Sequence, residues 1–408
     1  MIPALAIAAP TPTPSETSRA PSFAEFDRRA RAGESLSVVF FGASLTWGAN
    51  SSDPQLTSYR ADMARRFEAT YPKAHFHFWD GAIGGTNSQL GAFRFERDVM
   101  LRHPDLMFLD FSLNDDLTGK DEERLASYES LVRRAIVEAH CPVEQVFFPS
   151  SNEVRQPNRA LPRVEDHKTI SRAYNTATGD AITLLRQRVK DGDFTVEQLW
   201  PLKSDPTHPG DEGYELYAQA AWNGYQQAVA QKTVCRVPAQ TLHAPTYSHT
   251  ARVRLSQLGA LSQGWTAGRP NRVSAWYDAL MSRWLDDETI ASRDKAADSV
   301  QPAPFQVSFR GSMALLFGES TLGSGKYRVL IDGQPSAFKD ADEAGVFNAS
   351  GVQFGGNMHH VRVVAQGLDP NRWHTLSIEP RLEPGQELRI ESVCVAGPND
   401  AQVKRGGA

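Results

Sequence analysis

The chain has 408 residues, 40% of them hydrophobic and 22% charged. That excludes global disorder, collagen-like repeats and a small disulfide-stapled fold, and it suits two domains or one large domain with additions. With 43 Lys+Arg against 48 Asp+Glu, a formal net charge of -5, there is no basic footprint for nucleic acid.

The N-terminal stretch Met1–Pro14, MIPALAIAAPTPTP, has a short apolar segment before a Pro/Thr run but lacks a basic start. It reads either as the stump of an export signal ahead of a flexible linker or as a disordered start. From Leu36 the pattern changes. LSVVFFG (Leu36–Gly42) is a continuous apolar run of strand length, the mark of a strand buried on both faces of a parallel sheet. Similar runs follow at His75–Ala82, Leu106–Leu113 and Glu144–Ser151. Between them lie predicted helices over Ser58–Tyr71, Leu90–Leu101, Asp121–Ala139 and Asp166–Arg188, with a last helix after Pro209. Alternating strands and helices predict an α/β sandwich around a parallel sheet, with its site at the C-terminal ends of the strands.

That alternation stops near Lys232. Beyond Ser308 short, partly alternating apolar segments are punctuated by Gly, Pro, Asn and Asp, which predicts an antiparallel β-sandwich. The stretch Val273–Leu285 has helical spacing but can also hold a strand. The expected organisation is therefore an N-terminal segment over 1–30, an α/β domain over 31–235, and a linker with a β-sandwich over 236–400. No run of about 18 apolar residues is present, so no membrane span is expected. The three cysteines, Cys141, Cys235 and Cys394, cannot complete a disulfide framework and show no CxxC spacing. Three buried thiols, or one bridge and one thiol, both fit.

Four segments of the first domain carry polar chemistry. GASLTWG (Gly42–Gly48) follows the first strand, and its Ser44 sits among small residues where a strand turns into a helix. Such a turn exposes a hydroxyl beside a backbone N–H, which suits a nucleophile; packing or phosphate binding are alternatives, although no P-loop lysine follows. DGAIGGTNS (Asp80–Ser88) brings adjacent glycines that let backbone approach a ligand. FSLNDD (Phe111–Asp116) closes the third strand with Asn114, whose amide can meet a developing oxyanion or cap a helix. SDPTHPGDEGY (Ser204–Tyr214) sets Asp205 three residues before His208, where a carboxylate can orient an imidazole.

In this order, three at strand ends and one before the last helix, the four segments resemble the SGNH (GDSL-type) hydrolase superfamily. GASL stands where its nucleophile block stands, AIGGTN matches the glycine block, SLND the Asn block and DPTHP the Asp-x-x-His-Pro block. The resemblance covers roughly Leu36–Gln231. It departs at Ala43, where the family usually has Asp, and at Ser112, where Gly is commoner. It implies a flavodoxin-like three-layer αβα fold. It also implies a triad of Ser44, His208 and Asp205, and an oxyanion hole made by the N–H groups of Ser44 and Gly85 with the Asn114 amide. Neither a metal nor a cofactor is implied.

The family leaves the ester open. Trp47, Asn87 and Asp115 lie beside the blocks and are candidate substrate contacts; Trp79, on the second strand, reads as core or as a stacking ring. Trp265, Trp276, Trp284 and Trp373 in the second region are either core residues or a glycan platform. His359 and His360 have no obvious third metal ligand nearby in sequence. The β-rich second region resembles the jelly-roll modules of two-domain bacterial carbohydrate acetylesterases acting on xylan, xyloglucan or their oligosaccharides. This resemblance implies a secreted or periplasmic enzyme with an acetylated oligo- or polysaccharide as partner. A general short-acyl esterase or thioesterase, a polysaccharide O-acetyltransferase, and an inactive glycan-binding homologue are the alternatives.

Overall fold

A computed structural model describes residues 20–115, 121–271, 285–353 and 356–406. The first unit comprises β1 (Ser35–Gly42), β2 (His75–Ala82), β3 (Leu106–Asp110), β4 (Val143–Phe147) and β5 (Ala177–Asp180). Its helices are α1 (Phe23–Ala32), α2 (Ser44–Trp47), α3 (Tyr59–Thr70), α4 (Ser88–Asp98), α5 (Glu122–Val137), α6 (Ser151–Arg155), α7 (Pro162–Tyr174), α8 (Ala181–Lys190), α9 (Val196–Leu199) and α10 (Asp211–Ala230). The strands pair in parallel in the order β2-β1-β3-β4-β5. This is the order of the flavodoxin-like fold that the resemblance implies, with its crevice at the C-terminal edge between β1 and β3. β1 and β3 are buried along nearly their whole length, as continuous apolar runs require.

Two local readings differ from the sequence expectation. The helix expected over Asp166–Arg188 is split. α7 ends where Asn175 takes a left-handed φ of 51° and its N–H closes on Ser171 and Arg172 carbonyls. The short edge strand β5 follows, and Gly179 lets it approach α10: a Cβ there would lie 2.8 Å from the Ala221 Cα. No apolar run announces this strand, because close backbone approach rather than side-chain burial holds it. Second, residues 23–30, assigned above to the N-terminal segment, belong to α1. Ser22 caps it, and Phe23 and Phe26 pack edge-on against Tyr225 of α10. The remainder of that segment up to residue 19, the export-signal reading included, lies outside the described residues.

The second unit is antiparallel, as expected. Its strands are β6 (His249–Arg254), β7 (Trp265–Gly268), β8 (Glu288–Ser292), β9 (Phe305–Arg310), β10 (Met313–Ser320), β11 (Lys326–Ile331), β12 (Gln334–Pro335), β13 (Val346–Asn348), β14 (Val352–Gln353), β15 (Gly356–Ala365), β16 (Trp373–Arg381), β17 (Glu387–Gly397) and β18 (Gln402–Arg405). One sheet runs β14-β15-β10-β17-β8-β7 with β6 also on β17; the other runs β12-β11-β16-β9-β18 with β13 also on β11. The stretch read ambiguously over Val273–Leu285 lies outside the described residues except for Leu285.

β10 shows how the units join. All eight of its residues are buried. Ala314 and Leu316 face the sandwich core, while Met313, Leu315 and Phe317 enter the core of the α/β unit. A strand buried on both faces loses the inside/outside alternation expected of a sandwich. β17 does the same, with a bulge at Glu391 that switches the parity of its side chains: Leu388 and Ile390 lie inward before it, Val393 and Val395 after it. The connecting chain lies along α5, where Glu129 accepts from the Leu242 and His243 amides at 2.9 and 2.8 Å. Cys141, Cys235 and Cys394 are all free and buried, so the single-bridge alternative is not realised.

Candidate active site

The C-terminal edge of the parallel sheet gathers the polar segments. Gly42 pairs with Ala82 of β2 on one side and Asp110 of β3 on the other. Ser44, Gly85 and Asn114 therefore follow three adjacent strand ends. α2 starts at Ser44, whose residue is 6% exposed. A Cβ on Gly42 would collide with the Thr46 hydroxyl and the Asp110 carbonyl, so only glycine allows the turn to close this tightly. Arg60 of α3 takes the Thr46 and Trp47 carbonyls at 2.7 and 3.0 Å, filling the open C-terminal acceptors of the four-residue α2.

His208 joins two side chains. Its Nε2 lies 2.7 Å from Ser44 Oγ, and its Nδ1 lies 2.7 Å from Asp205 Oδ2. The loop that carries it is held at each step. Asp205 N–H donates to the Leu202 carbonyl, Ser151 N–H to the Pro206 carbonyl, and the Trp200 indole to the Thr207 carbonyl. Asp205 Oδ1 accepts the Thr207 and His208 amides at 2.9 and 3.1 Å. Burial opposes the charge on Asp205. The His208 ring and these two amides outweigh it and hold the carboxyl at about 2.

Sequence reasoning missed a fourth residue here. Asn50 donates from Nδ2 to Asp205 Oδ2 at 2.9 Å, the same oxygen that faces His208. It holds a left-handed φ of 69°, two residues after Gly48 at 99°. The signal was the Gly-x-Asn sequence just after the nucleophile block, because Asn is among the few residues that tolerate this conformation.

Three donors stand unspent. The Ser44 N–H opens a helix, Gly85 sits at a positive φ of 69°, and Asn114 ends the third strand's loop. Among the described residues, neither amide nor the Asn114 side chain has a protein acceptor. Burial pushes the nearby Asp110 carboxyl up to about 7, against hydrogen bonds from Thr46 and Ser112. The Asp110 carboxyl is thus only partly ionised at neutral pH. Among the described residues no group of three or more His, Cys, Asp or Glu could hold a metal ion.

The expected substrate contacts are not brought to the site in that role. Trp47 is 3% exposed, too enclosed to stack on a ligand. Asn87 caps α4 by accepting the Leu90 amide at 3.2 Å. Asp115 is fully buried, accepts the Ser88 amide at 2.9 Å and faces the enclosed His167 ring at 3.5 Å. Asn87 and Asp115 are spent on the amides that open α4, a role their positions at the helix start favour. Trp79 is half-buried with Arg102 over its ring, and Trp265 is buried with its indole bonded to the Ala303 carbonyl. Trp373 is 41% exposed under the Lys404 ammonium, and Trp276 and Trp284 lie outside the described residues. His360 is enclosed between Ser320 and Tyr327, and His359 packs edge-on against Phe317.

A doubly wound α/β sheet that joins Ser, His and Asp at its C-terminal edge has the arrangement of a serine-dependent hydrolase. Residues 40–216, most of the α/β unit, match the family model described as GDSL-like Lipase/Acylhydrolase family, and the chain is a carboxylic ester hydrolase. No curated protein matches the sequence. Two solved structures of a two-domain esterase active on acetylated mannans are similar across both units. One, co-crystallised with mannopentaose, is 22% identical at a TM-score of 0.70 and covers 94% of this chain and 95% of that one. The other is 23% identical at a TM-score of 0.70, covering 91% and 94%. An acetylxylan esterase from Geobacillus stearothermophilus is 20% identical over 47% of this chain and 94% of its own, at a TM-score of 0.38.

Proposed function

We propose that this chain is a serine acetylesterase that removes O-acetyl groups from plant polysaccharides or their oligosaccharides. The observation that carries the reading is the His208 ring, 2.7 Å from both Ser44 Oγ and Asp205 Oδ2. Ser44 Oγ attacks the acetyl carbonyl carbon as its proton passes to His208 Nε2. Asp205, ionised at neutral pH, holds the ring's other nitrogen as a donor and stabilises the imidazolium. The Ser44 and Gly85 amides and the Asn114 side chain receive the oxyanion, each donor contributing about 2.7–4 kcal/mol. His208 then gives the proton to the leaving sugar oxygen. Water, activated by the same nitrogen, cleaves the acetyl-serine to acetate.

The glycan reading is supported by the full-length likeness to a mannan-active esterase, so acetylated mannan joins xylan and xyloglucan as a candidate. A polymer substrate fits an extracellular or periplasmic location, which cell fractionation of the native host would test. The test of the function is acetate release from acetylated mannan, xylan and xyloglucan oligosaccharides. Aryl acetate, aryl octanoate and the Ser44→Ala variant run beside them. Glycan acetate cleaved, octanoate poorly cleaved and the variant inactive is the expected result. Aryl acetate cleaved with every glycan ignored overturns the polysaccharide assignment in favour of a general short-acyl esterase.

A further inference from the structure

Arg94, in the middle of α4, is 1% exposed, a guanidinium sealed inside the α/β unit. The proposed chemistry uses no positive charge there. Asp98, one helical turn on and also buried, neutralises it at 2.8 Å. That pair alone does not account for the other contacts. Nη2 donates to the Gly42 carbonyl at 2.7 Å and to Thr86 Oγ1 at 3.4 Å, and Nη1 donates to the Gly81 carbonyl at 2.6 Å. The guanidinium carbon also lies 4.5 Å from the Phe41 ring centre and 5.7 Å from that of Phe111.

These contacts touch each of the three strand ends that carry the unspent donors. Gly42 is two residues before Ser44, Thr86 directly follows Gly85, and Phe111 is three residues before Asn114. The Gly42 carbonyl is fixed twice, since the Ile83 amide also donates to it at 3.2 Å. A buried ion pair can often be replaced by apolar residues without loss of stability, so stability alone gives weak reason to keep one here. A planar fork that bridges carbonyls on two strands is a task only arginine performs.

We propose that Arg94 is a positioning residue that holds the backbone bearing the Ser44 and Gly85 amides, with the Asn114 loop beside it, in the geometry that receives the oxyanion. The inference rests on the triad reading above. It concerns how strongly the transition state is bound, not whether substrate binds.

The test compares the full-length protein with Arg94→Lys, which keeps a cation for Asp98 but cannot bridge both carbonyls. With aryl acetate, kcat should fall about 100-fold, as for loss of an oxyanion donor, with KM within about threefold. Affinity for an arylboronic acid, which forms a tetrahedral adduct on Ser44, should fall in parallel with kcat/KM. A folded Arg94→Lys protein with kcat within threefold of the parent overturns the proposal. So does a kcat loss with unchanged boronic acid affinity. Thr86→Val is the second variant should Arg94→Lys not fold. It removes one arm of the clamp together with the hydroxyl's bond to the Ile83 carbonyl at 2.8 Å and should lower kcat about 3- to 10-fold at constant KM, and an unchanged kcat overturns the proposal. Ser44→Ala is measured in parallel. If it retains activity, the triad reading fails; if it is inactive while the clamp variants are normal, only the positioning role fails.

Discussion

Replacing Asn50 with glycine tests what one side-chain amide, which also reaches the His208 carbonyl at a long 3.5 Å, contributes to the Asp205–His208 pair. The Asn50 amide and the His208 ring share the same Asp205 oxygen, at 2.9 and 2.7 Å. Glycine takes the left-handed φ of 69° without strain, so the loop keeps its course and only the amide is lost. A hydrogen bond to a charged group contributes about 1.5–3 kcal/mol. The Asp205 side chain is 21% exposed, so water can partly replace the donor, and the low end applies. A loss of about 1.5 kcal/mol in orienting His208 corresponds to roughly a tenfold fall in kcat/KM. Aryl acetate hydrolysis at pH 7, with a thermal melt to confirm folding, reads it directly. Asp205 remains ionised at that pH even if its carboxyl rises from about 2, so no change of charge state confuses the outcome. A folded Asn50→Gly protein within twofold of the parent would refute the idea that this amide tunes the triad.

Two carboxyls, the half-buried Asp205 and the buried Asp110, give opposite pH dependences of stability. Asp205, held at about 2 against an ordinary 3.8, stabilises the fold above about pH 4, and this is lost as pH falls through 2; Asp205→Asn should flatten acid unfolding in that window. Asp110, pushed up to about 7, favours the fold below about pH 4 and progressively loses that advantage as pH rises toward 7. Asp110→Asn should therefore raise Tm more at pH 8 than at pH 5, and equal gains at both would contradict it. Phe317 sits in the core shared by the two units beneath the Arg252 guanidinium, so Phe317→Ala should cost about 3–5 kcal/mol. Because that core is continuous, heat inactivation of the esterase should shift down with the melt; an unchanged inactivation temperature would count against the shared core. Burial pushes all three thiols up, Cys235 and Cys394 to about 12, so a thiol reagent should label the chain only after denaturation.

The sequence by itself determined the elements that depend on local chemistry. Strands such as Leu36–Gly42 are legible because burial on both faces demands an unbroken apolar run. The residues Ser44, Gly85 and Asn114 are legible because each sits in a short block after a strand, and Asp205 and His208 because they share one short block before the last helix of the unit. Tertiary structure alone decided what depends on partners distant in the chain. β5 is a strand because a glycine admits the α10 backbone, which no periodicity records. Trp47, Asn87 and Asp115 looked like ligand contacts until packing and capping accounted for them. Arg94 carries no pattern of its own, and Asn50 shows only as an Asn two residues after Gly48. Asn50 matters through a carboxylate 155 positions away. Arg94 matters because α4 folds it beneath three strand ends, and a hydrogen bond across the fold has no signature in the residues nearby.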